Sequence, residues 1–118
     1  MTTPMSGARR QALVWLAQRA SAAVLALCIV VHLATMIIAV RGGLSAAEIL
    51  ARTRGSVGWA AFYGMFVLAV AIHAPIGLRT VLAESSGGYR RGLDVAMAGF
   101  ALLLLAAGTR AVVAVTVG

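Results

Sequence analysis

Residues 22–40, AAVLALCIVVHLATMIIAV, form a nineteen-residue run without a charged side chain. That run decides the fold. Crossing the hydrocarbon core of a bilayer takes about 20 residues of α-helix, and backbone polar groups in lipid must be satisfied within their own segment, so such a run is helical. The apolar character spreads outward to cover 13–40, and two further stretches of similar length follow at 57–82 and 93–117. Of the 118 residues 62% are hydrophobic and 11% charged, too little polar surface to coat a soluble domain of this size. The expectation is an all-α transmembrane protein, a single three-helix membrane domain over residues 1–118.

Arg9 and Arg10 ahead of an apolar run imitate a signal peptide, but the run is too long for an h-region and no small-residue cleavage site closes it early, so it reads as a retained helix. Residues 1–8 are expected to be disordered, or ordered only by a partner. Cys28, the single cysteine, excludes an internal disulfide and packs as a small apolar group in mid-membrane.

All ten basic residues are arginine. Arg9, Arg10, Arg19, Arg79, Arg90 and Arg91 fall on one side of the three-helix layout, against Arg41, Arg52 and Arg54 on the other, with Arg110 near the far end of helix three. The positive-inside rule then places the N-terminus in the cytoplasm; the expected location is a bacterial inner (cytoplasmic) membrane. The net charge of +7 is divided among three membrane borders. That distribution suits anionic lipid headgroups or an acidic partner surface, and not nucleic acid. Between the helices, Gly42-Gly43 ends the first span, Ser45 caps a short helix at 46–51, and Ser85-Ser86-Gly87-Gly88 reads as a flexible turn. Trp59 and Tyr63 read as headgroup-level aromatics.

Ionisable groups inside a bilayer are costly and mark cofactors, substrate paths or helix contacts. His73 shares a helix face with Phe66, Ala69, Val70 and Gly77. Gly77 lies one turn from the imidazole and leaves room for a flat macrocycle, and Pro75 removes a backbone donor between them. Two readings are open: an axial haem ligand, or a histidine bonded to a neighbouring helix with Gly77 as a packing contact. His32 lies on a stripe with Ser21, Leu25, Cys28, Thr35 and Met36, which argues that it faces protein or cofactor. If Arg19 and Arg79 mark one level, His32 lies about 20 Å deep and His73 about 9 Å, so the two imidazoles stand about 10 Å apart along the membrane normal. They would then serve two haems and not one. The chain has no third histidine, so further ligands must come from a partner or a symmetry mate. Arg19 and Arg79 either snorkel or line a pocket, one holding a haem propionate and one polarising a quinone carbonyl.

The strings Trp-Leu-Ala-Gln-Arg-Ala-Ser (15–21), Val-Val-His-Leu around His32 and Ala-Ile-His-Ala-Pro-Ile-Gly-Leu-Arg-Thr-Val-Leu-Ala-Glu (71–84) resemble the membrane-anchor cytochrome b subunit of succinate dehydrogenase, respiratory complex II. The likeness covers about 13–95 and includes the three-helix layout. It implies haem b, one or two groups, with His73 as axial iron ligand and His32 as ligand of a second haem. It also implies Arg79 near the propionates and Gly77 in the haem slot. Arg19 would form the quinone site, for ubiquinone or menaquinone, with Trp15 and Ser21 beside it. The implied partners are a second anchor subunit that donates histidine ligands and completes a larger helical bundle, an iron–sulfur subunit and a flavoprotein. Gln18 and Ala22 depart from the family's usual histidine and glycine, Trp15 stands where some members have serine, and Glu84 replaces an aspartate that would form a helix-end salt bridge.

The implied function is electron transfer in the tricarboxylic acid cycle, from succinate through the iron–sulfur subunit to membrane quinone. The chain lacks a flavin-type glycine motif and a cysteine cluster, so it is not the dehydrogenase itself. An anchor of a fumarate reductase gives nearly the same sequence. A haem-free structural or assembly protein, or a small transporter, is the reading from another class, and the absence of acids in the middle of all three helices speaks against the transporter.

Overall fold

The computed structural model describes residues 3–117, with side chains from Gly7 onward. Four helices follow one another: α1 (Thr3–Arg41), α2 (Ala46–Thr53), α3 (Val57–Ser86) and α4 (Arg91–Thr116). No strand occurs among the described residues. Three of the helices, α1, α3 and α4, are long and apolar enough to cross a membrane. The short α2 sits in the connection between the first two spans.

Local chemistry explains the boundaries. α1 ends where Gly43 turns into the left-handed region at φ 73°, the amides of Gly42 and Leu44 reaching back to Ile38 O and Ala39 O. Ser45 and Glu48 then form a reciprocal capping box, with both hydrogen bonds 3.2 Å long. Ser56 caps α3 through the Trp59 amide. α3 ends at Gly87, φ 89°, where the Gly88 amide bonds Ala83 O. Pro75 lies inside α3, which nevertheless runs as one helix from Val57 to Ser86.

Two boundaries differ from the sequence reading. The expected flexible turn at 85–88 is half helix, because the hydroxyls of Ser85 and Ser86 bond the carbonyls of Val81 and Leu82 one turn back. The helix also begins at Thr3, so residues 3–8, expected to be disordered, belong to it; residues 1 and 2 lie outside the described residues.

α3 is the central span, packed against α4 on one side and α1 on the other. Without a hydrophobic drive between helices in lipid, small residues that let backbones approach hold such bundles together. The buried positions show this: Cys28, Ala69, Ala71 and Ala83, with Ser21 among the polar ones. At Gly108 a Cβ would fall 2.5 Å from Val67 Cγ1, so only glycine permits the α3–α4 approach there. α2 is tied to the end of α4 by Thr53 Oγ1 donating to Val115 O (2.6 Å) and by the Gly55 amide donating to Thr116 O (2.7 Å). Large apolar side chains on α1, α3 and α4 stay exposed, among them Ile38, Leu68 and Leu102.

Candidate cofactor site and two histidine levels

The antiparallel pair α1 and α3 meets in a constant register. Gln18 lies at Gly77, Ser21 at His73 and His32 at Tyr63. Ser21 and His32 are eleven residues apart on α1, so the two imidazoles stand about 16 Å apart along the helices. The sequence reading gave about 10 Å from the same rise per residue. The difference arises because Arg79 lies beyond Gly77, and hence beyond the level of Gln18 and Arg19 on the facing helix. The two arginines do not mark one plane. One iron cannot take both histidines as axial ligands.

At the first level the Ser21 hydroxyl is buried between the helices and donates to the backbone carbonyl of Gln18, three residues earlier on α1, at 3.0 Å. Its single proton is thereby used, and its oxygen faces His73 Nδ1 at 3.5 Å as an acceptor. A proton on Nδ1 satisfies that contact and leaves the lone pair on Nε2. Among the described residues Nε2 makes no hydrogen bond, and it is not sealed in the interior. This is the tautomer of a metal-ligating imidazole, whose other nitrogen donates to a fixed acceptor. The residues present therefore fit one axial ligand of a haem iron.

The space at Gly77 holds the amide of Gln18, whose Nε2 would lie 3.1 Å from a Cβ at that position, while Gln18 Oε1 is buried without a partner. Gly77 is thus a close contact between α1 and α3, as in the packing reading of the sequence.

At the second level His32 sits in an aromatic cluster. Its ring lies 5.8 Å from Tyr63 and 6.1 Å from Phe66, both edge-on, and Tyr63 in turn stacks on Trp59. The Tyr63 hydroxyl approaches His32 Nδ1 at 3.4 Å. Tyr63 was read as a headgroup-level ring; its pairing with His32 depends on the register between two helices, which no single-helix spacing reveals. Beside this pair a cavity of about 480 Å³ opens between α3 and α4, with α2 at its end.

The remaining expected site residues separate into two groups. Arg19 is exposed with its guanidinium 5.1 Å above the Trp15 ring, one turn away on the same face. Ser21, expected beside them, follows Arg19 by two residues and points to the opposite side, toward α3. Arg79 donates through Nε to Asp94 Oδ1 at 2.5 Å and lies 4.3 Å over the Tyr89 ring. It thus clasps the turn between α3 and α4. Among the described residues this is the single salt bridge, so the helix-end bridge expected of Glu84 is made by Asp94, a residue the sequence reading passed over. The described residues contain no cluster of three or more histidine, cysteine, aspartate or glutamate side chains; a porphyrin-held iron asks only for an axial ligand.

A family model described as the succinate dehydrogenase/fumarate reductase transmembrane subunit matches residues 3–113. Comparison with curated proteins and with solved structures gives no match.

Proposed function

The chain belongs to the family of succinate dehydrogenase/fumarate reductase transmembrane subunits, and we propose that it is the haem b-binding anchor of a succinate dehydrogenase. In this reading His73 ligates the haem iron through Nε2, and a second anchor subunit donates the opposite ligand. The observation that carries the reading is the Ser21 hydroxyl, which is committed to the Gln18 carbonyl and so presents an acceptor to His73 Nδ1.

When bound, the haem supplies a one-electron redox centre within the membrane. The chain's own residues do the rest. Ser21 orients the imidazole and makes it a stronger donor. Gln18 and Gly77 let α1 and α3 close around the ligand. Arg19 and Trp15, exposed together at the same end of the bundle, form this chain's share of the quinone site, where a fixed guanidinium polarises a quinone carbonyl. The iron–sulfur subunit docks at that end, which carries Arg9, Arg10, Arg90 and Arg91, and passes on electrons taken from succinate by the flavoprotein. The positive-inside rule makes it the cytoplasmic end in a bacterial inner membrane. Ubiquinone or menaquinone is the acceptor, and a fumarate reductase would run the same path in reverse.

A second haem on His32 requires the proton on its Nδ1, with the Tyr63 oxygen accepting it. The phenol proton would then have no partner. The reading with one haem, on His73, avoids that cost. Substitution tests the assignment: His73→Ala removes the b-type absorbance from the assembled complex while the chain remains inserted, and an unchanged spectrum contradicts it.

A further inference from the structure

The first turns of α1 carry a groove of their own. Arg9, Arg10, Leu13, Val14 and Ala17 form one wall, and Ile76 of α3 closes it across the seam between the two helices. The space amounts to about 340 Å³. From Arg10 to Ala17 it runs about 10 Å along the helix, at 1.5 Å per residue. Ala17 lies two residues from both Trp15 and Arg19, and two residues turn an α-helix through about 200°. The groove therefore opens on the side of α1 away from that pair. The cavity beside His32 is at the other end of the bundle.

Two chemical zones meet in this groove. Its mouth holds two exposed guanidinium groups on adjacent residues, and its floor is wholly aliphatic. Among the described residues the single salt bridge joins Arg79 to Asp94, so neither mouth arginine is paired with a carboxylate. With three acidic residues against ten arginines, the chain cannot neutralise them itself. An occupant must bring negative charge to the mouth and an apolar chain to the floor. A phosphodiester suits the mouth, because the guanidinium fork binds phosphate oxygens in pairs. An acyl chain suits the floor. An acidic protein segment would satisfy the arginines but set polar backbone against the aliphatic floor, at a cost in desolvation. A quinone tail would fill the floor and leave the arginines unanswered.

We propose that this groove is a binding site for an anionic phospholipid, with its phosphate at Arg9 and Arg10 and one acyl chain along Leu13, Val14, Ala17 and Ile76. Basic pockets between membrane helices on the positively charged border hold such headgroups. Because the two walls come from different helices, the lipid ties the start of α1 to α3, where Gln18 and Gly77 make the next contact. The proposal rests neither on the haem at His73 nor on the quinone contact at Arg19.

The test is photocrosslinking of the assembled complex in phosphatidylcholine nanodiscs, with a diazirine-bearing phosphatidylglycerol as probe and peptide mapping as readout. Label is expected in α1 between Arg9 and Ala17 and around Ile76. Unlabelled phosphatidylglycerol displaces it and added phosphatidylcholine does not. Equal displacement by both overturns the proposal on the unaltered protein, because the groove would then hold bulk lipid. Arg10→Gln lowers the label about fivefold, the worth of one arginine at a charged membrane surface, and Arg10→Lys, which keeps the charge, recovers part of it. Ala17→Phe keeps every charge, fills the floor and lowers the label as well. Arg91→Gln removes the same charge at the same end of the bundle but outside the groove, and leaves the label unchanged. A loss in Arg91→Gln equal to that in Arg10→Gln reduces the effect to general attraction and overturns the site. A groove without lipid label also overturns it, and leaves an acidic segment of a partner subunit as the occupant.

Discussion

The Ser21 hydroxyl has one proton and gives it to the Gln18 carbonyl, so what it shows His73 is an acceptor. The Tyr63 hydroxyl has one proton and, in apolar surroundings, one acceptor within reach, His32 Nδ1. The hydroxyl partners thus favour opposite tautomers, Nδ1–H on His73 and Nε2–H on His32, and under the proposed function the lone pair left on His73 Nε2 is the one that ligates. Removing the acceptor is expected to weaken haem retention in Ser21→Ala about tenfold, the usual range for a lost partner of a ligating histidine. It should also shift the haem midpoint potential upward, because a less basic imidazole stabilises the ferric state less. Redox titration and haem-loss kinetics check both, and an unchanged potential would make Ser21 a packing residue. The place of His73 in a membrane helix, ahead of Gly77 and Arg79, was legible. Ser21 as its partner was not: the sequence gives faces of single helices, whereas pairing needs the register between them. The assumption that Arg19 and Arg79 share a level was off by about one turn.

Among the elements, the α3–α4 contact and α2 show how small groups set geometry. Gly108 meets the side chain of Val67 where a Cβ would clash at 2.5 Å. Gly108→Ala is expected to destabilise the bundle by about 1–3 kcal/mol, measured as a lower unfolding midpoint in detergent, whereas Gly99→Ala, where a Cβ meets nothing within 4 Å, serves as the neutral control. The capping box of α2 carries a pH dependence. The Ser45 backbone amide, and then its hydroxyl, hold the Glu48 carboxyl below its ordinary value of 4.5. The folded value being depressed, the cap's contribution is full above the unfolded value and is lost as pH falls through the folded one. Amide exchange in α2 should therefore accelerate, relative to α3, on acidification below about pH 4.5, and Ser45→Ala should bring that acceleration to neutral pH. The three spans and the short helix were legible because charge-free runs and caps are local signals. The helical Ser85-Ser86 was not, since serine either breaks a helix or bonds back into it according to its rotamer.

For the whole molecule, the arrangement is an incomplete bundle. The helices present broad apolar faces, and under the proposed function His73 supplies one axial ligand while other subunits complete the coordination and the quinone pocket. Arg19→Leu is accordingly expected to lower quinone reduction by the assembled complex at least tenfold, while succinate oxidation with a soluble artificial acceptor stays within twofold. Equal loss of both activities would instead report failed assembly. The family likeness was readable from three short strings, at 15–21, around His32 and at 71–84. The separation of the two histidines was also readable in the sequence, but its size and the hydroxyl partner of each emerged only from the folded chain.

The most direct test is the haem b content per copy of the chain, by pyridine haemochrome and reduced-minus-oxidised spectra of the complex purified from membranes, compared with its His73→Ala and His32→Gln variants. The account predicts one haem per chain, lost in His73→Ala and kept in His32→Gln. A haem that survives in His73→Ala, or one that disappears in His32→Gln, would contradict it.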